Sequence, residues 1–344
     1  MQEIEKFLQT WAVEATDNDR KEFLNGLHFN STWSEFSKSC VDLYIHCIFD
    51  HLEHLGFRGG QRMRDIEAPA SALVFFIWSF TFAVHFPNWV NHLEALFNYN
   101  LLYLYVDHYI DDTEMTSEQK KTSISQMFIL LQNPRARFTL PLVDPTLSTI
   151  AELYEGLATK YPQSVEAMKA IFKTQIEGLK YQNDPNSSKS DLEDICVRKG
   201  SRTAEVIATF VGLTPTDAWY RDAQTIGAIM QLVDDCIDVE ADLKNNVSTI
   251  ATWIFREHGS LDSLLITIAA HISEIGNHFW MFKISYTLFL CYIPDRWARY
   301  FSPEIRSLFH RYNLFDYNLG CDGVLLLTNM VLERIKTIEI KLTK

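Results

Sequence analysis

Apolar residues recur at helical spacing from one end of this chain to the other, and nothing alternates convincingly with period two over six residues. Strand-built folds are therefore excluded, because a half-buried strand needs that alternation. Breakers are scarce, with 13 glycines and 10 prolines in 344 residues, and they fall between the periodic segments. That scarcity argues against β-propellers, hairpin-rich folds and low-complexity linkers. Hydrophobic residues make up 47% and charged residues 22%, enough apolar mass for a packed core and too much for a disordered chain. No repeat and no compositional step marks a boundary, so the expectation is one all-α domain over 1–344, a bundle of long helices around an apolar cavity.

The sequence divides at its breakers. A helix over about 29–56 starts at Ser31 or Thr32 and stops at Gly56. A second runs over about 89–111. The prolines at 134, 141 and 145 make 132–145 the clearest loop, and 182–191 is another, with Ser190 or Asp191 capping a helix to about 212. Thr216 or Asp217 caps one continuous helix through 243, and 243–250 is a polar break before further helices. The apolar stretch 68–87 is long enough to cross a membrane. Its bracketing prolines, His85 and its isolation favour a helix buried among neighbours.

Thirty-one basic against 44 acidic residues leave a formal charge of −13. Such a surface repels nucleic acid and anionic lipid, so a polyanionic ligand needs a local cationic cluster or bound cations. The cysteines at 40, 47, 196, 236, 291 and 321 have no zinc spacing and read as reduced, buried thiols of a cytoplasmic protein. The opening residues, charged from the third onward, read as an amphipathic helix rather than a signal peptide.

Two acidic runs stand out. Residues 234–242 carry five carboxylates, and at about 100° per residue Asp234, Asp238 and Asp242 fall in one stripe about 80° wide. Like charges at that spacing cost an isolated helix about 0.2–0.5 kcal/mol per pair. A solvated face tolerates that cost, but the turns before it, 227–233, are apolar and place the stripe at the mouth of a buried face. Carboxylates crowded beside an apolar wall call for a hard cation. Asp107 and Asp111 repeat the design after the apolar stretch 98–106, and two such helices facing each other would make an oxygen-lined cage. Cationic donors occur at Lys199 and Arg202, with Thr203 on the same helix face, and at Arg62 and Arg64 beside Gly59 and Gly60.

These residues resemble the trans-prenyl diphosphate synthases and the class I terpene synthases that share their fold. Residues 227–238 (GAIMQLVDDCID) are similar to the second aspartate-rich motif, GxxxQxxDDxxD, at every fixed position. In the terpene-synthase register, Asp234, Asp238 and Asp242 take the three metal-ligand places. Asp107 to Asp111 resembles the first DDxxD motif with its second acid replaced by His108. Residues 59–64 (GGQRMR) resemble the GGKRxR phosphate-binding segment, and Arg202-Thr203 falls where those enzymes carry Lys-Thr. Arg311-Tyr312 is similar to the pair with which terpene synthases close over diphosphate, and Arg299-Tyr300 is a weaker rival.

The resemblance implies the isoprenoid synthase fold and three magnesium ions, with manganese the alternative, held by Asp107, Asp111, Asp234, Asp238 and Asp242. It implies a prenyl diphosphate bound by Lys199, Arg202, Thr203, Gln231, Arg311, Tyr312 and Arg62. Tyr99, Tyr103, Phe76 and Phe80 are the expected pocket liners, with Phe75 and Trp78 beside them, although plain core packing accounts for most aromatics of this kind. Tyr103, one helical turn before Asp107, stands where the family limits pocket depth. A homodimer enters by analogy alone.

The departures separate the branches. Prenyl-chain synthases carry an Arg pair after the first motif, where this chain has DDTEMTSEQKK, and an imidazole seven residues before its first Asp, where this chain has Asn100. With Gln61, these changes remove donors for a second diphosphate and leave those for one. The pattern is that of a terpene synthase ionising a single allylic diphosphate. A chain-lengthening synthase and a non-catalytic relative are the competing readings, the latter on His108 and Gln61.

Overall fold

The computed structural model describes residues 79, 92–110, 117–139, 141–142, 146–276, 279, 282, 286, 290, 293–294 and 297–312. Helix is the regular structure throughout them, so the described part of the chain is all-α. The chain's contacts divide it into two compact units, with the break in this region falling between Val165 and Glu166.

The first of these units contains α1 (Leu93–Ile110), α2 (Ser117–Gln132), a 3₁₀ turn (Pro134–Phe138) and α3 (Thr146–Lys160). Nearly every side chain of α1 from Ala95 to Val106 is buried. A helix apolar on all faces must be enclosed by its neighbours, and α3 packs against it. Asn100 is the polar exception inside α1. Its amide donates to the Leu96 carbonyl (2.7 Å) and to the Ser79 hydroxyl (3.1 Å), and its carbonyl accepts from that hydroxyl (3.2 Å).

The expected loop at 132–145 contains the 3₁₀ turn. Pro134 sets its first φ, and Arg135 and Arg137 both hold Glu155 of α3, Arg137 at 2.7 Å with its side chain largely buried. The two guanidinium groups depress the Glu155 pKa, Arg137 most strongly.

The second unit holds α4 (Val165–Gln182, of which Val165 belongs to the first), α5 (Lys189–Phe210), α6 (Ala218–Asn245), α7 (Ile250–His258), α8 (Asp262–Glu274), a 3₁₀ turn (Ala298–Tyr300) and α9 (Pro303–Tyr312). The cap of α5 is Ser188 rather than Ser190 or Asp191. Its hydroxyl accepts from the Asp191 amide and donates to the Asp191 carboxylate, which moves the helix start forward. α6 begins after Asp217, whose carboxylate turns back to the Thr214 amide and hydroxyl. It ends at Asn246, in the left-handed region at φ 56°, which Asn tolerates because its short polar side chain bonds locally.

α5 and α6 run antiparallel and cross at Gly200 and Gly227. A Cβ on either glycine would strike the carbonyl of the other. The missing side chains let the two backbones touch, and everything else at this interface is set by that crossing. Arg198 of α5 is bidentate to Glu177 of α4 (3.0 and 3.1 Å), so α4 is tied to the same pair.

The polar break at 243–250 becomes the cap of α7. The Thr249 hydroxyl accepts from the Thr252 amide (3.3 Å) and the Thr252 hydroxyl accepts from the Thr249 amide (2.8 Å). Thr249→Ala is expected to lower stability by about 1 kcal/mol. An unchanged urea midpoint would show that this reciprocal cap contributes nothing.

No helix among the described residues is long and apolar enough to cross a membrane. The apolar stretch 68–87 lies outside them except for Ser79, which is helical and buried.

Candidate functional site

The crossing of α5 and α6 brings Lys199 and Gln231 to the Asp234-Asp235 pair. Gln231 sits one turn before the acids on α6, and its amide donates to Asp234 Oδ2 (3.1 Å) and Asp235 Oδ1 (3.2 Å). A side-chain amide thus sets the direction of two adjacent carboxylates. Asp235 turns into the interface, is buried, and accepts from the Cys196 thiol of α5. Burial raises its pKa to about 6, and the bonds from Gln231 and Cys196 with the Lys199 charge limit the rise.

Asp234 and Asp242 are half-buried and Asp238 is exposed, so the stripe faces outward from the helix pair. Tyr286, stacked on Phe282 at 4.1 Å, is buried within reach of the Asp234 charge, and burial with that charge pushes its phenol well up.

Arg202 is placed differently from Lys199. Its Nη1 bonds Glu205 (2.6 Å), one turn further along α5 and away from Asp235. Thr203 is buried, with its hydroxyl on the Lys199 carbonyl (3.0 Å). Glu240 of the acidic run holds Arg299, whose guanidinium lies 4.7 Å over the Tyr300 ring. Tyr300 is buried, edge-on to Phe255 at 4.9 Å, and its carbonyl accepts from the Leu261 amide. The structure therefore ties Arg299-Tyr300 to the acidic helix. Arg311 and Tyr312 end α9, and their side chains lie outside the described residues.

Asp107 is half-buried near the end of α1. Tyr99 and Tyr103 are buried in the core of that helix with ring centroids 6.4 Å apart. Arg62, Arg64, Phe75, Phe76, Trp78, Phe80 and Asp111, with the glycines beside Arg62, lie outside the described residues, as do Cys40, Cys47, Cys291 and Cys321. Cys196 and Cys236 are buried free thiols, and burial raises both pKa values, which leaves little thiolate to react.

Aspartate oxygens are the hard donors that magnesium or manganese takes, and on this criterion the stripe fits either ion. Among the described residues no three His, Cys, Asp or Glu side chains gather around one point.

The amino-acid sequence alone assigns no role to Asp235, Glu205 or Tyr286. Asp235 was legible as part of the motif, and a turn of about 100° from Asp234 separates its environment from that of the stripe. Glu205 stands three residues after Arg202, the spacing of an ion pair within one helix, whereas nothing in the chain order ties Tyr286 to Asp234.

No family model, no curated protein and no solved structure matches the chain.

Proposed function

We propose that the chain is a class I terpene synthase of the isoprenoid synthase fold. It ionises a linear prenyl diphosphate, of geranyl to geranylgeranyl length, and steers the allylic carbocation into a cyclised or rearranged product as diphosphate leaves. The observation that supports this reading best is the grouping of Lys199, Gln231, Asp234 and Asp235 at the α5–α6 crossing. It sets an ammonium beside a carboxylate pair aimed by an amide, on a helix whose outward stripe offers only oxygen donors. Magnesium commonly binds through one or two carboxylates together with substrate phosphates.

In this reading Asp234, Asp238 and Asp242 would hold the metal, with Asp107 and Asp111 as the further ligands that the resemblance to the first motif implies. Magnesium held there would supply Lewis-acid stabilisation of the leaving diphosphate. Gln231, donating to both Asp234 and Asp235, restricts the directions in which the two carboxylates can turn. Lys199 and Arg202 donate hydrogen bonds to diphosphate oxygens, and these strengthen as negative charge develops there. A carbocation survives only where water is excluded, which is the work assigned to the apolar walls and to aromatic faces such as Tyr103, worth about 0.5–2 kcal/mol each toward a cation.

Asn100 favours a single diphosphate. Both donors of its amide are engaged, by Leu96 and Ser79. The position where chain-lengthening relatives carry an imidazole is thus occupied by a buried structural amide.

The test is incubation of the full chain with magnesium and geranyl, farnesyl or geranylgeranyl diphosphate, with and without isopentenyl diphosphate. Hydrocarbon or alcohol products with free diphosphate are expected without the isopentenyl partner. Longer diphosphates formed only with it would replace the reading by chain elongation. No diphosphate release from any substrate would replace it by a non-catalytic role.

A further inference from the structure

Glutamate is seldom fully buried without a partner, and Glu205 of α5 is only 4% exposed. Two partners hold it, one from each helix of the pair. Gln224 Nε2 of α6 donates to Oε1 at 2.7 Å, and Arg202 Nη1 donates to Oε2 at 2.6 Å. The Ser201 hydroxyl donates to the main-chain carbonyl of Gln224 at 3.0 Å, a second bond between the two helices at this point. The carboxylate is thus immobile, while the Arg202 side chain it grips remains 44% exposed. A guanidinium offers five donors in a rigid fork, and one bond to a fixed acceptor sets the plane and direction of the rest.

We propose that Glu205 is a positioning residue, anchored by Gln224, that presents the outer edge of Arg202 to a diphosphate group. The inference rests on the reading of Arg202 as a diphosphate donor. The opposite role is physically open to a glutamate paired with an anion-binding arginine: it can compete with the ligand for the guanidinium. The two roles differ in sign. Removing a competitor tightens anion binding, whereas removing an anchor frees a long side chain that must be ordered again on binding, which weakens it.

The experiment measures the affinity of the full chain for inorganic diphosphate with magnesium by titration calorimetry, a readout that needs no turnover. Glu205→Gln keeps the shape of the side chain. The double variant Glu205→Leu with Gln224→Leu replaces the buried carboxylate and its half-buried amide partner by apolar groups, so neither is left unpaired at the interface and the fold is expected to stand. Arg202→Ala removes the arm itself.

The expected result is binding weakened about five- to tenfold in the double Leu variant, a smaller loss in Glu205→Gln, and no further loss when either is combined with Arg202→Ala. Non-additive loss of affinity is what a purely structural role would not produce. Unchanged or tighter binding in the Glu205 variants, with Arg202→Ala still weakened, overturns the positioning role alone. Absence of diphosphate binding in the unaltered chain overturns both this role and the function from which it follows.

Discussion

Under the proposed function, Asp234→Ala is expected to lower diphosphate release by at least about a hundredfold and to leave the helical circular dichroism spectrum unchanged. Asp234 carries two burdens in the proposed chemistry. It is the proposed metal ligand, and it is the outward member of the pair to which the Gln231 amide donates. Loss of one preorganised electrostatic partner of a developing charge costs about two to three orders of magnitude in rate. The residue is half-buried rather than packed in the core, so alanine leaves the fold standing. Asp107→Ala is expected to behave alike, since the reading makes both acids ligands. Steady-state release of diphosphate from an allylic substrate is the measurement. Near-normal rates in either variant would refute its assignment as a ligand.

The largest expected effect on stability comes from a single methyl group. In Gly200→Ala the new Cβ meets the Gly227 carbonyl, and the Cβ of Gln231 at 2.9 Å. These are backbone atoms and the root of a side chain, so no flexible tip can yield, and the helices must separate. Overpacking a close-fitted interface costs about 3 kcal/mol, occasionally more. Separation also moves Gln231 and Asp235 away from Lys199 and Cys196, so the proposed activity is expected to fall with stability. Gly156→Ala is the control. It lies on an exposed position of α3 with nothing within 4 Å of the added Cβ. There alanine is expected to raise stability by about 0.5–1 kcal/mol, by restricting the unfolded chain and favouring helix. Thermal unfolding of the two variants should therefore shift in opposite directions; equal shifts would show that the crossing is not close-packed.

The helical class was legible because it rests on local facts. Period-3.6 apolar spacing, few breakers and caps near polar breaks are written in neighbouring residues, and the structure moves the starts and ends of α5 and α6 by only a few positions. The shifts themselves follow from side-chain bonds that composition cannot rank. Ser188 outcompetes Ser190 and Asp191 because its hydroxyl and the Asp191 carboxylate satisfy one another. The turn at Pro134–Phe138 escaped notice because it is held by Glu155, eighteen residues beyond Arg137.

The candidate site was legible only as residue types. The acidic motif, its glutamine and its glycine could be read off, but neither the contact of Gly227 with Gly200 nor the inward turn of Asp235 could. The bond from Gln224 to Glu205 was equally hidden, while the i,i+3 spacing of Arg202 and Glu205 was not.

The amino-acid order by itself determined that the chain is helical, that acids cluster at two places on helix faces, and that their spacing matches a cation-holding stripe, because each depends on residues within a turn or two. The fold alone decided which acid is buried, which arginine meets Glu240, and which amide of α6 holds Glu205. Those outcomes depend on where two helices cross, and a crossing is fixed by the mutual fit of side chains far apart in the chain.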